Sequence, residues 1–210
     1  MKRTVFVYVF DTMADWEIGF LTAELNSKRY FKKDAGPVKV VTLGAEKSVV
    51  TSMGGLKILP DIELDECKME IKEGDVLILP GGETWLEGIH HGVLDIVAQC
   101  IEKNIIVAAI CGATMALAQG GFLNTRNHTS NDLGYLKMVC LDYKGESHYI
   151  KKPSVTDGNL ITATGIAPLE FTASVLKALD VLSPQVLEAW LNLYKTNDEK
   201  YFYEIMKIMV

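Results

Sequence analysis

Three short apolar runs constrain this chain more than any other feature. Val5–Phe10, Val76–Leu79 and Ile105–Ile110 are each strand-sized, and Val38–Leu43, entered from the Gly36-Pro37 turn, reads as a further strand between the first two. A strand that is apolar on both faces must be covered on both faces, as in a parallel sheet flanked by helices. The intervening segments supply that cover. Trp16–Ser27 carries Ile18, Leu21 and Leu25 at helical spacing, with Phe20 alongside. Val93–Glu102 reads as an amphipathic helix, and Ala113–Gln119 as a helix closed by Gly120-Gly121. Val49–Leu64 contains Gly54-Gly55 and Pro60, which predicts a hairpin or short edge strands rather than a helix.

The second half continues the pattern. Asn131 is placed to N-cap a short helix running through Leu136 to Val139. Val155, the Asp157-Gly158-Asn159 turn and Leu160–Thr164 predict a hairpin returning to the sheet. Pro168–Leu182 is a further amphipathic helix. Beyond Ser183-Pro184, Gln185–Tyr194 and Glu199–Met209 read as two more. The reading is one α/β domain over residues 1–182, with a mostly parallel sheet and helices on both faces, and a C-terminal helical extension over residues 183–210 packed on it. In such sheets, sites collect at the carboxyl ends of the strands.

Composition excludes several classes. Of 210 residues, 49 % are hydrophobic and 23 % charged, which is globular and too apolar for disorder. The net charge of −6 leaves no basic excess to neutralise phosphates, so no nucleic-acid partner is expected. No apolar run reaches the 18 or so residues of a membrane span. Met1-Lys2-Arg3 precedes an apolar stretch, but Asp11 ends it without a small-residue cleavage site, so the reading is a first strand rather than a signal peptide, in a cytoplasmic protein. Cys67, Cys100, Cys111 and Cys140 lack CxxC spacing and read as reduced thiols. There is no metal-ligand spacing, Walker loop or GxGxxG, and no metal or cofactor is expected.

Chemistry concentrates where three strands end. In Ala109-Ile110-Cys111-Gly112-Ala113-Thr114 a strand runs into Cys111 and a helix starts at once, among small residues. A nucleophile on a sharp strand-to-helix turn needs small neighbours, and the helix N-terminus favours thiolate. The competing reading, a buried small hydrophobe, suits Cys67, Cys100 and Cys140 better. Leu79-Pro80-Gly81-Gly82 ends another strand, and the Gly82 and Gly112 N–H groups could together form an oxyanion hole. In Met13-Ala14-Asp15-Trp16-Glu17, spacing alone makes Glu17 an acid complementing a helix dipole and Asp15 a cap.

Taken together, these segments resemble the ThiJ/PfpI family within the class I glutamine amidotransferase-like superfamily. The resemblance runs from the first strand to about Leu182 and rests on Asp15-Trp16-Glu17, Leu79-Pro80-Gly81-Gly82, Ala109–Ala113, Gly121-Phe122-Leu123, Ile161–Gly165 and Glu170-Phe171. It implies a flavodoxin-like three-layer sandwich, Cys111 on the nucleophile elbow with Glu17 beside it, Gly82 and Gly112 as oxyanion donors, and a homodimer. There are departures. Protease-like members carry His directly after the cysteine, where this chain has Gly112. Glutamine amidotransferases end with His-x-Glu, whereas Gly165–Phe171 has Glu170 and no His. Many relatives place a His after a Thr-rich turn downstream of the cysteine. Here that stretch is Asn127-His128-Thr129-Ser130-Asn131, with Asn131 in the slot and His128 just before it. His128 is the base candidate, against a solvated loop histidine. His90 and His91 are candidates for the cleft rim, against plain exposure at a helix start, which the sequence favours, and His148 belongs to a peripheral hairpin. The implied activity is a cysteine-dependent hydrolase or lyase on a small carbonyl or amide substrate, whether amidase, peptidase, glyoxalase-like or isonitrile-hydrating. The alternative is a stress or redox sensor acting through oxidation of Cys111. The tail residues Trp190, Leu193, Tyr194, Tyr201, Phe202, Ile205 and Met209 are expected to supply or flank a dimer interface, or else to fold back on their own domain.

Overall fold

A seven-stranded sheet organises the computed structural model of the protein, which describes residues 3–209; Met1, Lys2 and Val210 of the sequence reading lie outside the described residues. The strands are β1 (Arg3–Tyr8), β2 (Val38–Gly44), β5 (Ile62–Glu63), β6 (Val76–Leu79), β7 (Ile106–Ile110), β8 (Ser154–Asp157) and β9 (Leu160–Ala163), in spatial order β5-β2-β1-β6-β7-β9-β8. All neighbours run parallel except β8 and β9, which form the antiparallel edge hairpin. The remaining pair, β3 (Val50–Thr51) and β4 (Lys57–Ile58), makes a separate small hairpin. Val76–Leu79 and Val107–Ile110 are wholly buried, as strands covered on both faces must be.

The covering helices are α1 (Asp15–Ser27), α2 (Leu64–Glu70), α3 (His91–Glu102), α4 (Gly112–Gln119), α5 (Leu133–Val139), α6 (Pro168–Ala178), α7 (Pro184–Thr196) and α8 (Lys200–Met209). Helix α1 packs on α6 and α6 on α7 in one layer, and α2 packs on α3 in the other, giving the flavodoxin-like three-layer sandwich. Helix α6 stops at Ala178 rather than Leu182, because Asp180 takes a left-handed conformation (φ 48°) while Val181 and Leu182 stay buried. The apolar pattern continues past the helix and gives no sign of its end.

Helices α7 and α8 fold back on their own chain. The Ser183 side chain caps α7 by accepting the Val186 N–H, and Pro184 begins it. Trp190 is fully buried and donates its indole N–H to Glu24 Oε1 at 3.0 Å, while Ile205 of α8 is buried beside α7. Phe202, Tyr203, Met206 and Ile208 stay exposed on α8. Among the described residues no helix is long and apolar enough to cross a membrane.

Candidate active site

Strand β7 ends in a strained turn. Cys111 has φ 57° and ψ −123°, a conformation that costs an L-residue of order 1–3 kcal/mol and recurs at functional sites. The strain lifts the sulfur out of the strand at the start of α4. Cys111 is the only half-exposed cysteine; Cys67, Cys100 and Cys140 are buried. Burial pushes the Cys67 and Cys100 thiols up to about 12 and raises Cys140 as well, which keeps all three inert at neutral pH.

Glu17, in the first turn of α1, faces this sulfur. The residue is fully buried, and its Oε2 accepts the Gly81 N–H at 2.6 Å. Its Oε1 has no hydrogen-bond partner and stands beside the sulfur: a Cβ on Gly165 would lie 3.2 Å from Oε1 and 2.6 Å from Cys111 Sγ. Two glycines close the pair in. A Cβ on Gly81 would stand 2.7 Å from both Cys111 Cβ and Glu17 Oε2, and one on Gly165 would stand 2.6 Å from Cys111 Sγ. No other residue fits at either position without displacing the pair.

Burial pushes the Glu17 carboxyl up to about 6, against the pull of the Gly81 N–H and the Cys111 thiol. The thiolate-favouring surroundings expected from the helix N-terminus are outweighed. Burial first, and the Glu17 carboxylate second, push the Cys111 thiol up, while the Asn131 amide and Gly112 N–H pull it down. Burial makes both groups resist ionising, and the Glu17 carboxylate adds to this at the thiol while the thiol in turn favours the carboxylate, so the pair holds one proton near neutral pH, mainly on sulfur, and titrates as a unit.

Asn131 is the third group at the sulfur. Its Nδ2 donates to Cys111 Sγ at 3.2 Å, and its Oδ1 accepts the Gly165 N–H at 2.8 Å. The helix-capping role expected of Asn131 falls to the next residue: the Asp132 carboxylate accepts the Tyr135 N–H at 2.8 Å. That one-residue shift frees Asn131 for the site.

His128 is not there. It is buried, with Nδ1 2.7 Å from the Arg126 carbonyl and Nε2 2.6 Å from the Tyr143 hydroxyl. The carbonyl can only accept, so Nδ1 carries the proton and Nε2 accepts from Tyr143; no lone pair is left to take a proton from Cys111. Nor does any histidine line the cleft. His90 is buried between the Tyr8 and Thr84 hydroxyls and pushed down to about 4 by burial, so it is a neutral packing group rather than a rim residue. His91 lines a separate small cavity beside Trp85, and His148 lies on a short 3₁₀ turn.

The glycines of the two turns meet. A Cβ on Gly112 would stand 2.9 Å from the Gly82 carbonyl oxygen and 3.0 Å from Trp85 Cδ1, and one on Gly82 would enter the Phe10 ring. Trp85 donates its indole N–H to the Pro80 carbonyl at 2.9 Å and so pins the Pro80-Gly81-Gly82 turn. Among the described residues no backbone carbonyl or side-chain oxygen accepts the Gly82 or Gly112 N–H. The sulfur opens into a cleft of about 880 Å³ whose lining includes Trp16, Asn131, Lys151, Lys152, Ile166 and Glu170. No group of His, Cys, Asp and Glu among the described residues is arranged to hold a metal ion.

Comparison with known proteins identifies the family and the fold. The family model described as DJ-1/PfpI matches residues 3–178. "Uncharacterized protease YoaZ" of Bacillus subtilis is 55 % identical over 204 residues, covering 97 % of this chain and 96 % of that protein. "Uncharacterized protease YdeA" of the same organism is 35 % identical over 196 residues, 92 % of each. The crystal structure of a thiJ/pfpI family protein from Bacillus anthracis superposes with a TM-score of 0.95 at 56 % identity, over 99 % of this chain and 97 % of that one. With the sheet order, the strained cysteine elbow and its facing carboxyl, these matches show that the chain belongs to the DJ-1/PfpI family.

Proposed function

We propose that the protein is a cysteine-dependent hydrolase acting on a small carbonyl or amide compound. The observation that carries this reading is the strained, half-exposed Cys111 paired with a buried, proton-sharing Glu17. Cys111 Sγ attacks the carbonyl carbon, and as the S–C bond forms the shared proton comes to rest on Glu17. The Gly82 and Gly112 N–H groups hold the resulting oxyanion. Collapse of the tetrahedral adduct expels the leaving group, which takes the proton from Glu17, and water then cleaves the thioester with Glu17 as base. With no histidine in the cleft, both proton transfers fall to Glu17. The protease names of the two Bacillus subtilis relatives support peptide or amide bonds as the substrate bond.

A screen of small amides, peptides, α-oxoaldehydes and isonitriles tests the reading. Turnover that disappears in Cys111→Ala supports it, and turnover that survives in that variant overturns it. A second reading, a redox sensor, is favoured by the accessibility of this one sulfur among four. Selective peroxide oxidation of Cys111 without turnover of any compound would favour it over the hydrolase. The exposed α8 residues Phe202 and Met206 support a homodimer interface, tested by light scattering of the Phe202→Glu/Met206→Glu variant.

A further inference from the structure

Two adjacent lysines stand on the rim of the Cys111 cleft. Lys151 and Lys152 are exposed, line the cleft, and take part in no ion pair among the described residues. The cleft's acids offset them only in part: Glu170 pairs with Lys195 at 2.7 Å, Glu17 is buried against Gly81, and Asp132, which caps α5, is the single exposed acid without an ion pair among the described residues that line the cleft. An unpaired cationic rim on a chain of net charge −6 is a local departure that concentrates anions at one place. The rim is also fixed to the walls around the sulfur. The Lys152 carbonyl accepts from the Thr129 hydroxyl at 2.9 Å, and the Pro153 carbonyl accepts the Thr164 N–H at 3.0 Å, one residue before the Gly165 that abuts Cys111.

We propose that the substrate carries a carboxylate apart from its electrophilic carbonyl, and that Lys151 and Lys152 hold that carboxylate at the cleft mouth. The inference rests on the reading of Cys111 as nucleophile. A single negative charge suits the rim better than a phosphate monoester, because Asp132 and Glu170 also line the cleft and oppose a dianion.

The test compares alkylation of Cys111 in the full chain by 3-maleimidopropionate and by neutral N-propylmaleimide, followed by mass spectrometry, with N-acetylcysteinamide as the reference thiol. At low ionic strength the anionic-to-neutral rate ratio should exceed that of the reference about three- to tenfold, and salt should erase the excess. In Lys151→Met/Lys152→Met, which keeps the side-chain stems, the ratio should fall to the reference value. A wild-type ratio equal to the reference, or one unchanged in the double variant, overturns the proposal while leaving Cys111 a nucleophile. If Cys111 is inert to both reagents, the nucleophile reading falls first. The anion site is then decided by NMR titration of Cys111→Ser with succinate semialdehyde and butyraldehyde. Preference for the anion that is lost with the two lysines supports the site, and equal binding overturns it.

Discussion

Helix α1 buries two carboxylates on one face, Glu17 and Glu24, and the protein treats them in opposite ways. Glu24 is fully partnered. It accepts from Arg29 through both oxygens and from the Trp190 indole, and Arg29 reaches on to the Tyr194 hydroxyl at 3.0 Å. This network ties α1 to α7 and holds the C-terminal helices on the domain. Glu17 has one backbone donor, an orphaned oxygen and a thiol. A buried acid left short of donors pays its desolvation in a raised pKa, and that is what makes it able to take and return a proton near neutrality. The same residue type, two turns apart on one helix, is an anchor where it is saturated and a reactive group where it is not.

The largest expected effect separates the two in activity. Glu17→Gln keeps the shape and the acceptor for the Gly81 N–H but cannot carry the proton, so turnover should drop by about 10²- to 10⁴-fold. Retention of activity in that variant would remove the distinction. Glu24→Ala should do the reverse. It strands the buried Trp190 N–H and leaves Arg29 unpaired, so stability should fall by about 3 kcal/mol while the folded protein keeps its turnover. Denaturant titration measures the loss, and limited proteolysis should show α7 and α8 released first. The smallest effect comes from the exposed side of the same helix. Nothing lies within 4 Å of a Cβ on Gly19, so Gly19→Ala should stabilise by about 0.5–1 kcal/mol through helix propensity alone, with turnover unchanged. A loss of stability there would mean that α1 is constrained on its outer face as well.

The sheet was legible because short runs of apolar, largely β-branched residues admit little else than strands covered on both faces, and the elbow because small residues crowd a cysteine between strand and helix. The contribution of Asn131 was harder to read. Asn and Asp cap helices about equally well, and only the extended backbone of Asp132 (φ −158°) decides which of the two adjacent residues does so. The partner that fixes Asn131, Gly165, lies far along the chain. His128 stands near the right place in sequence, but spacing does not say that its loop turns inward onto Tyr143 and the Arg126 carbonyl. Likewise the amphipathic pattern of α7 and α8 is the same whether it covers the chain's own α1 or another copy. The Glu24–Trp190 bond joins residues too distant for any local pattern to connect.

The claim that Glu17 is held ionisable at a cost to the fold has a direct thermodynamic test. Its pKa is raised on folding from 4.5 to about 6, so between those values the native state binds more protons than the unfolded chain, and wild-type stability gives ground as pH rises through that window. Glutamine at this position titrates nowhere and escapes the loss. The unfolding free energy of Glu17→Gln minus that of wild type, measured by denaturant titration across pH, should therefore be level below about pH 4.5. It should climb from there to pH 6 and settle about 2 kcal/mol higher, the equivalent of the shift at 1.36 kcal/mol per pH unit. A difference that stays flat across this range, or that moves in favour of the wild type as pH rises, would contradict the account.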